Sequence, residues 1–437
     1  MMETENKPAQ PEQDSVLPAL TQAFDAAKAA RITPPELTLL QAIELESARG
    51  IVSKAVFQLF DLAKEVEGAV VRDRRFPGEE SRMLKRDGHA FGIYPLSIGQ
   101  TLLRRALELD SPEEAIQWFL RVLNKKSATG ATIRALWGAL VDTSVQLAPD
   151  IKLVPIQDIP ESHQKGWVTS AAWGFDRAPN TPMYEAPESA LLLQKTIDPV
   201  IYNPSVDKLD EMASFAAEQE RLNDATLALT VLGPRVVIPA AEWFTYDDPD
   251  LEQTGIRSNS RRGQIMEIQS TMPRHAPTLD PALAQEVVQA FLGMTGDSKE
   301  TVRIAMQRLS HAIRRRAYGD KAVEVATALE SLLGSNENTE MGFRIRVRAS
   351  RLLGGTSAAR ARTAEIVKET YNIRSKALHE GKHNNKKRSK EIAGATMTWS
   401  EIVDASIGIC AQLIGIVLRR GSIPDWDFFD INEQSAA

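Results

Sequence analysis

The residue types best suited to proton transfer at neutral pH gather in one segment, Tyr371-Asn372-Ile373-Arg374-Ser375-Lys376-Ala377-Leu378-His379-Glu380-Gly381. A histidine titrates near neutrality, so His379 can take or give a proton. Arg374 carries a permanent charge and a fork of donors that fits a phosphate or a carboxylate. Lys376 and Lys382 stand close in sequence and favour the neutral imidazole, the form a base needs. The same residues admit structural roles. Arg374 can pair with Glu330 or Glu380, and His379 can answer the dipole at a helix C-terminus. Tyr371 and Asn372 suit packing and positioning, and Glu330 suits an ion-pair partner. Five residues along a straight helix turn through about 140° and climb about 7.5 Å, so Arg374 and His379 do not converge within one copy.

Other chemistries lack their residues. There is no phosphate-cradling GxxxxGK[ST], no dinucleotide fingerprint after a strand and no HExxH. Among the six histidines only His379 and His383 stand four apart, with Gly381 between them. Lys382, Lys386, Lys387 and Arg388 around them would repel a cation, so no metal or other cofactor is expected. The acids Asp73, Glu79, Glu80 and Asp87 have no ligand spacing. Arg82 and His89 form a second Arg–His pair, which the Asp87-Gly88 turn marks as chance. The single cysteine, Cys410, rules out an intrachain disulfide and a cysteine-based zinc site, and its apolar setting reads as packing.

The elements around the segment follow from punctuation. From Asp280 on, apolar residues recur at helical spacing in Pro281–Leu292, Ser298–Ala317, Asp320–Leu333, Glu340–Leu353, Ser357–Glu380 and Trp399–Arg420. Gly334, Gly354-Gly355, Gly381 and Gly421 stand where C-caps belong. Short connections imply antiparallel neighbours. Ile402–Leu418 is apolar over 17 residues but holds Asp404, Ser406 and Gln412, so it reads as a buried bundle helix rather than a membrane span. Earlier in the chain, Leu45, Ala48, Val52, Val56, Leu59, Leu62 and Val66 trace one helical face. Residues 71–89 read as an exposed charged loop, and helices are predicted over Leu96–Leu109, from Ser111-Pro112 and over Asp207–Thr230. Seven prolines between 155 and 204 predict irregular structure with short strands such as IKLVPI. Residues 242–277 read as a long loop with a strand at Gln264–Gln269.

Charge is uneven. Residues 301–420 hold 22 Lys+Arg against 11 Asp+Glu, a net +11 on a chain whose total is −6. A basic region on an acidic chain fits a polyanion partner, and equally fits a basic half folded against an acidic one. Arg314-Arg315-Arg316 and Arg344, Arg346, Arg348 and Arg351 read mainly as solvated or paired faces. Lys386-Lys387-Arg388, beside the motif, suit phosphate contact better. The polar opening MMETENKPAQPEQDS lacks the apolar core of a secretory signal, and a reducing, cytoplasmic setting without membrane contact is expected.

Tyr-Asn-x-Arg-Ser-Lys-x-x-His-x-Gly resembles the signature of the HEPN superfamily, in its Apea-like branch. Asp320–Leu333, with its Ala-Leu-Glu-x-Leu ending, and Phe343–Leu353 resemble the preceding helices of that domain. Leu229–Pro234, Trp243 and Asp247-Asp248-Pro249 resemble its carriers more weakly. The good match covers about residues 298–381. The resemblance implies a dimerising helical bundle that acts as a metal-independent endoribonuclease, of the kind used in toxin and anti-phage defence systems. Arg374 would then hold the scissile phosphate and His379 would move protons, with Tyr371, Asn372, Ser375 and Glu330 in support. Lys376, Lys382, Lys386, Lys387 and Arg388 would contact RNA. The implied partners are RNA, a second copy that brings both pairs into one cleft, and an antitoxin or phage-derived trigger. The alternative is a catalytically inactive HEPN-like RNA-binding or dimerisation module.

The expected fold is mainly α, with a disordered tail over 1–16. A mostly helical sensing or regulatory region with a few short strands spans 17–278, and it is open to division near 145–208. A HEPN-like antiparallel bundle follows over 279–425, and an acidic tail over 426–437.

Overall fold

The computed structural model describes residues 15–33, 54–77, 82–169, 186–205, 212–252, 254, 260–262, 277–334, 340–380 and 388–432. Helix takes 60% of the described residues, so the mainly α expectation holds, and every described strand pair is antiparallel. The predicted N-terminal tail, the helical positions Leu45, Ala48 and Val52, and the strand at 264–269 lie outside the described residues, apart from Ser15 and Val16.

Helices α1 (Val16–Ala29), α2 (Lys54–Arg72), α3 (Pro95–Leu109) and α4 (Pro112–Leu123) bury one apolar cluster, with Leu59, Ala63, Val66 and Val70 forming the inward stripe of α2. The α4 start is built as the Ser-Pro-Glu-Glu pattern dictates. Ser111 Oγ accepts from the Glu114 N–H at 3.2 Å, and the acids sit in the first turn.

The charged stretch 71–89 is not one loop. Its second half forms strand β1 (Arg82–Arg86), which turns at Asp87-Gly88 into β2 (His89–Ile93). Charge concealed the alternation there, because Leu84 and Arg86 are buried while their neighbours are half-exposed. Arg86 is neutralised by Glu252 at 2.8 Å, a partner 166 residues away.

The proline-rich region and its flanks contribute more sheet than expected. Strands β3 (Ala128–Trp137), β4 (Val145–Ala148), β5 (Ile151–Pro155), β6 (Ser189–Ile197), β8 (Ile238–Tyr246) and β9 (Ser260–Arg262) form a six-stranded sheet ordered β4-β5-β6-β3-β8-β9. The short β7 (Ile201–Tyr202) joins the β1–β2 hairpin. IKLVPI is β5, as predicted. Pro155 ends that strand and Pro199 lies beyond β6, so the prolines delimit strands instead of dissolving them. The expected loop from 242 is also corrected: Glu242–Tyr246 ends β8, and the short helix α7 (Pro249–Glu252) follows. Helix α5 (His163–Thr169) precedes β6, and α6 (Met212–Leu229) covers one sheet face. Beneath α6, Arg134 of β3 donates to Glu242 at 2.7 Å, Asn223 at 2.8 Å and Gln219 at 3.1 Å, so its buried charge is fully partnered.

The C-terminal helices match expectation closely: α8 (Pro281–Gly293), α9 (Gly296–Arg314), α10 (Tyr318–Leu333), α11 (Met341–Leu353), α12 (Ser357–Glu380) and α13 (Trp399–Arg420). Asp280 caps α8 and Gly421 ends α13 in the left-handed conformation. Helix α13 is the innermost member, packed against α8, α9, α10, α11 and α12. Among the described residues it is the one helix long and apolar enough to cross a membrane, and 67% of its 18-residue apolar stretch is buried inside the protein.

Two features were not legible. A hairpin of β10 (Ser389–Ile392) and β11 (Ala395–Thr398) follows α12, turning through Ala393-Gly394 with both residues at positive φ. The segment expected as an acidic tail is, over Trp426–Asn432, helix α14. It docks because Trp426 and Phe429 are buried and Asp430 answers the fully buried Arg348 at 2.7 Å. One apolar cluster runs from β4, β5 and α6 through α8 into every helix of the C-terminal group, so the core crosses residue 279 without a break.

Candidate functional site

Helix α12 carries the motif. Its buried stripe is Ile366, Val367, Thr370, Ile373 and Ala377. This three- and four-residue spacing fixes where each motif residue sits. Arg374 borders the stripe and is half-buried, whereas Asn372, Ser375 and Lys376 are exposed. The helix continues through Glu380, so position 379 follows Arg374 by about 140° and about 7.5 Å. That puts it on the same side as Asn372 and Ser375. The structure describes His379 by its backbone alone, and Gly381, Lys382, His383, Lys386 and Lys387 lie outside the described residues.

Arg374 meets Glu330 of α10. Its Nη1 donates to Oε1 at 2.7 Å and its Nη2 to Oε2 at 3.4 Å, an end-on pair with both side chains roughly seven-tenths covered. The Nε–H is buried and has no hydrogen-bond partner. The ion-pair role anticipated for Arg374 is therefore occupied by Glu330. Behind Glu330, α10 ends so tightly that a Cβ on Gly334 would come 2.3 Å from the Glu330 carbonyl oxygen.

Tyr371 closes the inner side of this pair. Its hydroxyl donates weakly to the Ala326 carbonyl at 3.4 Å, and the Arg374 guanidinium lies 5.7 Å from its ring centre. Burial pushes the phenol well above its ordinary range, and the nearby Glu330 charge adds to that. Tyr371 accordingly stays protonated and positions the guanidinium.

A second set of contacts lies on another flank of α12. The Lys376 ammonium and the Arg388 guanidinium each lie 5.0 Å from the ring centre of Trp399. Tyr318, at the start of α10, meets the same ring edge-on at 5.9 Å. Trp399 was expected only as the start of the apolar helix, not as a site residue. The signal for it was the alternating stretch around Ala393-Gly394, which ends in the Thr398-x-x-Glu401 capping box of α13.

The other basic runs are largely spent on structure. Arg308 and Arg315 donate to Glu324 at 3.2 and 2.9 Å, and His311 lies 3.9 Å from the same carboxylate. Burial opposes the Glu324 charge, but the two guanidinium hydrogen bonds outweigh it and hold the carboxyl below its usual range. Burial lowers the His311 imidazole, as do the arginines around it, against the pull of Glu324. Arg348 and Arg351 bind Asp430, and Arg346 lies over Phe343. Cys410 is buried in α13, where desolvation pushes its thiol up to about 12. No group of three or more His, Cys, Asp or Glu side chains suited to a metal occurs among the described residues.

Comparison with protein-family models, with curated proteins and with solved structures returned no match.

Proposed function

We propose that the chain is a metal-independent endoribonuclease of the HEPN type, working as an anti-phage defence or toxin effector. The observation that carries this reading is the half-exposed Arg374, presented from α12 and oriented by Glu330, one and a half turns before His379. A guanidinium held end-on by a carboxylate keeps its remaining N–H donors for a phosphate oxygen. Arg374 binds the scissile phosphate and offsets the charge that grows on it. His379 takes the proton from the ribose 2′-OH, whose oxygen attacks phosphorus as the bond to the 5′-oxygen breaks, and hands that proton to the departing 5′-oxygen. The products are a 2′,3′-cyclic phosphate and a 5′-OH. Arg374 and position 379 diverge on one straight helix, so the working site draws on two copies of the chain. Lys376 and Arg388 supply further positive charge at the same end of α12.

The Arg374–Glu330 pair also favours a second reading, an inactive RNA-binding or dimerisation module in which the pair only joins α10 to α12. Digestion of RNA by the purified chain in EDTA, with end-group analysis, separates the two. Arg374→Ala and His379→Ala should each abolish cleavage. The melting temperature should fall by no more than a few degrees, because a partly exposed ion pair contributes about 1 kcal/mol or less. An oligonucleotide lacking the 2′-OH should resist cutting. Cleavage that survives both substitutions, or that requires added Mg²⁺, would overturn the mechanism.

A further inference from the structure

We propose that Trp399 is a stacking platform for one base of single-stranded RNA, set beside the proton-transferring end of α12; the choice of RNA rests on the nuclease reading above. Arg388 and Trp399 continue the β10–β11 ladder by one step. The Trp399 N–H donates to the Arg388 carbonyl at 3.1 Å, directly after the Ser389–Thr398 pair. Cross-strand partners project on one face, which is why the guanidinium reaches the indole. Lys376 arrives from α12 and completes the set.

Three features suit a nucleic-acid strand. The indole is half-exposed and supported edge-on by Tyr318, so its position is fixed before anything binds. Lys376 and Arg388 lie over the indole ring, so a base stacks by displacing one of these long side chains, which then follows the adjoining phosphate. Lys376 and position 379 are three residues apart on one helix, hence neighbours on its surface. A base on Trp399 would therefore hold the adjoining ribose-phosphate near the end of the helix where His379 lies. Bases already stacked in a duplex cannot use such a platform, so the preferred substrate is unpaired RNA.

The test uses the full chain carrying His379→Ala, so that the probe stays intact. Fluorescence anisotropy would follow a short labelled single-stranded RNA and a series of probes each lacking one base. Trp399→Leu should weaken binding of the intact RNA between about 5-fold and 150-fold, the range of one aromatic–base stack. One abasic position should weaken binding to the unsubstituted platform by a similar factor, and weaken Trp399→Leu little further. Equal losses on every probe, or no loss in a variant with unchanged melting temperature, would overturn the proposal. Should Trp399→Leu fail to fold, ultraviolet crosslinking of the parent chain to 4-thiouridine RNA should mark the peptide holding Trp399, and crosslinks confined to other peptides would overturn it. Cleavage is scored separately. A chain that binds through Trp399 but cuts nothing refutes the nuclease reading alone, whereas one that cuts with Trp399 indifferent refutes the platform alone.

Discussion

Glu324 pairs with Arg308 and Arg315 and has His311 beside it, and that has a consequence in acid. Its carboxyl is held below 4.5, so the stability it contributes is complete above that pH and is lost as pH falls through its folded value. Burial and the surrounding arginines hold His311 beside it below its ordinary 6.5 in the fold, so the unfolded chain binds the proton more readily. Stability linked to His311 is therefore present above about 6.5 and declines below it. Both effects have one sign. Chemical denaturation measured at pH 7.5, 5.5 and 4 should show falling stability, and His311→Gln should flatten the upper part of that fall. A parent chain equally stable at pH 5.5 and 7.5 would contradict it. At this scale the sequence was informative about types and poor about partners. Tyr371 and Arg374 were readable together because helical spacing ties them, and Glu330, 44 residues away on α10, was readable only as one of two candidate partners and through the family resemblance. That Arg348 belongs to Asp430 and Arg86 to Glu252 was not, since those partners lie 82 and 166 residues away.

Helix α14 shows how much a short element can be worth. It supplies Asp430 to a guanidinium that is 0% exposed, and covers it with Trp426 at 5.1 Å. Removing the counter-charge strands that guanidinium in the interior. Asp430→Ala should destabilise the chain by about 3 kcal/mol or more, read from urea denaturation. Replacing Asp427, on the same helix and exposed, should change little. A loss below about 1 kcal/mol for Asp430→Ala would show that Arg348 finds another anion. Long helices were legible because Pro, Gly and capping residues bound their periodic stripes, as in Asp280–Gly293 and Trp399–Gly421. Strands were not, for identifiable reasons. β3 is buried on both faces and shows no alternation, β1 hides it under Arg and Lys, and the β10–β11 turn uses Ala393 where Asn or Gly would have announced it.

The apolar core joins sheet and bundle across the boundary near 279. Helix α8 turns Ala284, Val287, Val288 and Phe291 inward, and packs on β4 and α6 as well as on α13. A fragment starting at residue 277 should expose that stripe, bind a hydrophobic dye and aggregate, whereas the full chain should do neither. A fragment as stable and well-behaved as the whole would make the two halves independent. The sequence drew the boundary from a long loop read over 242–277 and the near-continuous helix after Asp280, a local pattern that is blind to a shared interior. The Arg348–Asp430 pair also sets an order of events. A ribosome that has just added Arg348 must extend the chain by 82 residues before the opposing carboxylate exists. Until then α11 carries a cation with no permitted place inside, and the nascent helices are held short of their final packing. Synthesis itself thus sets the earliest moment at which α11 can take its final place in the interior.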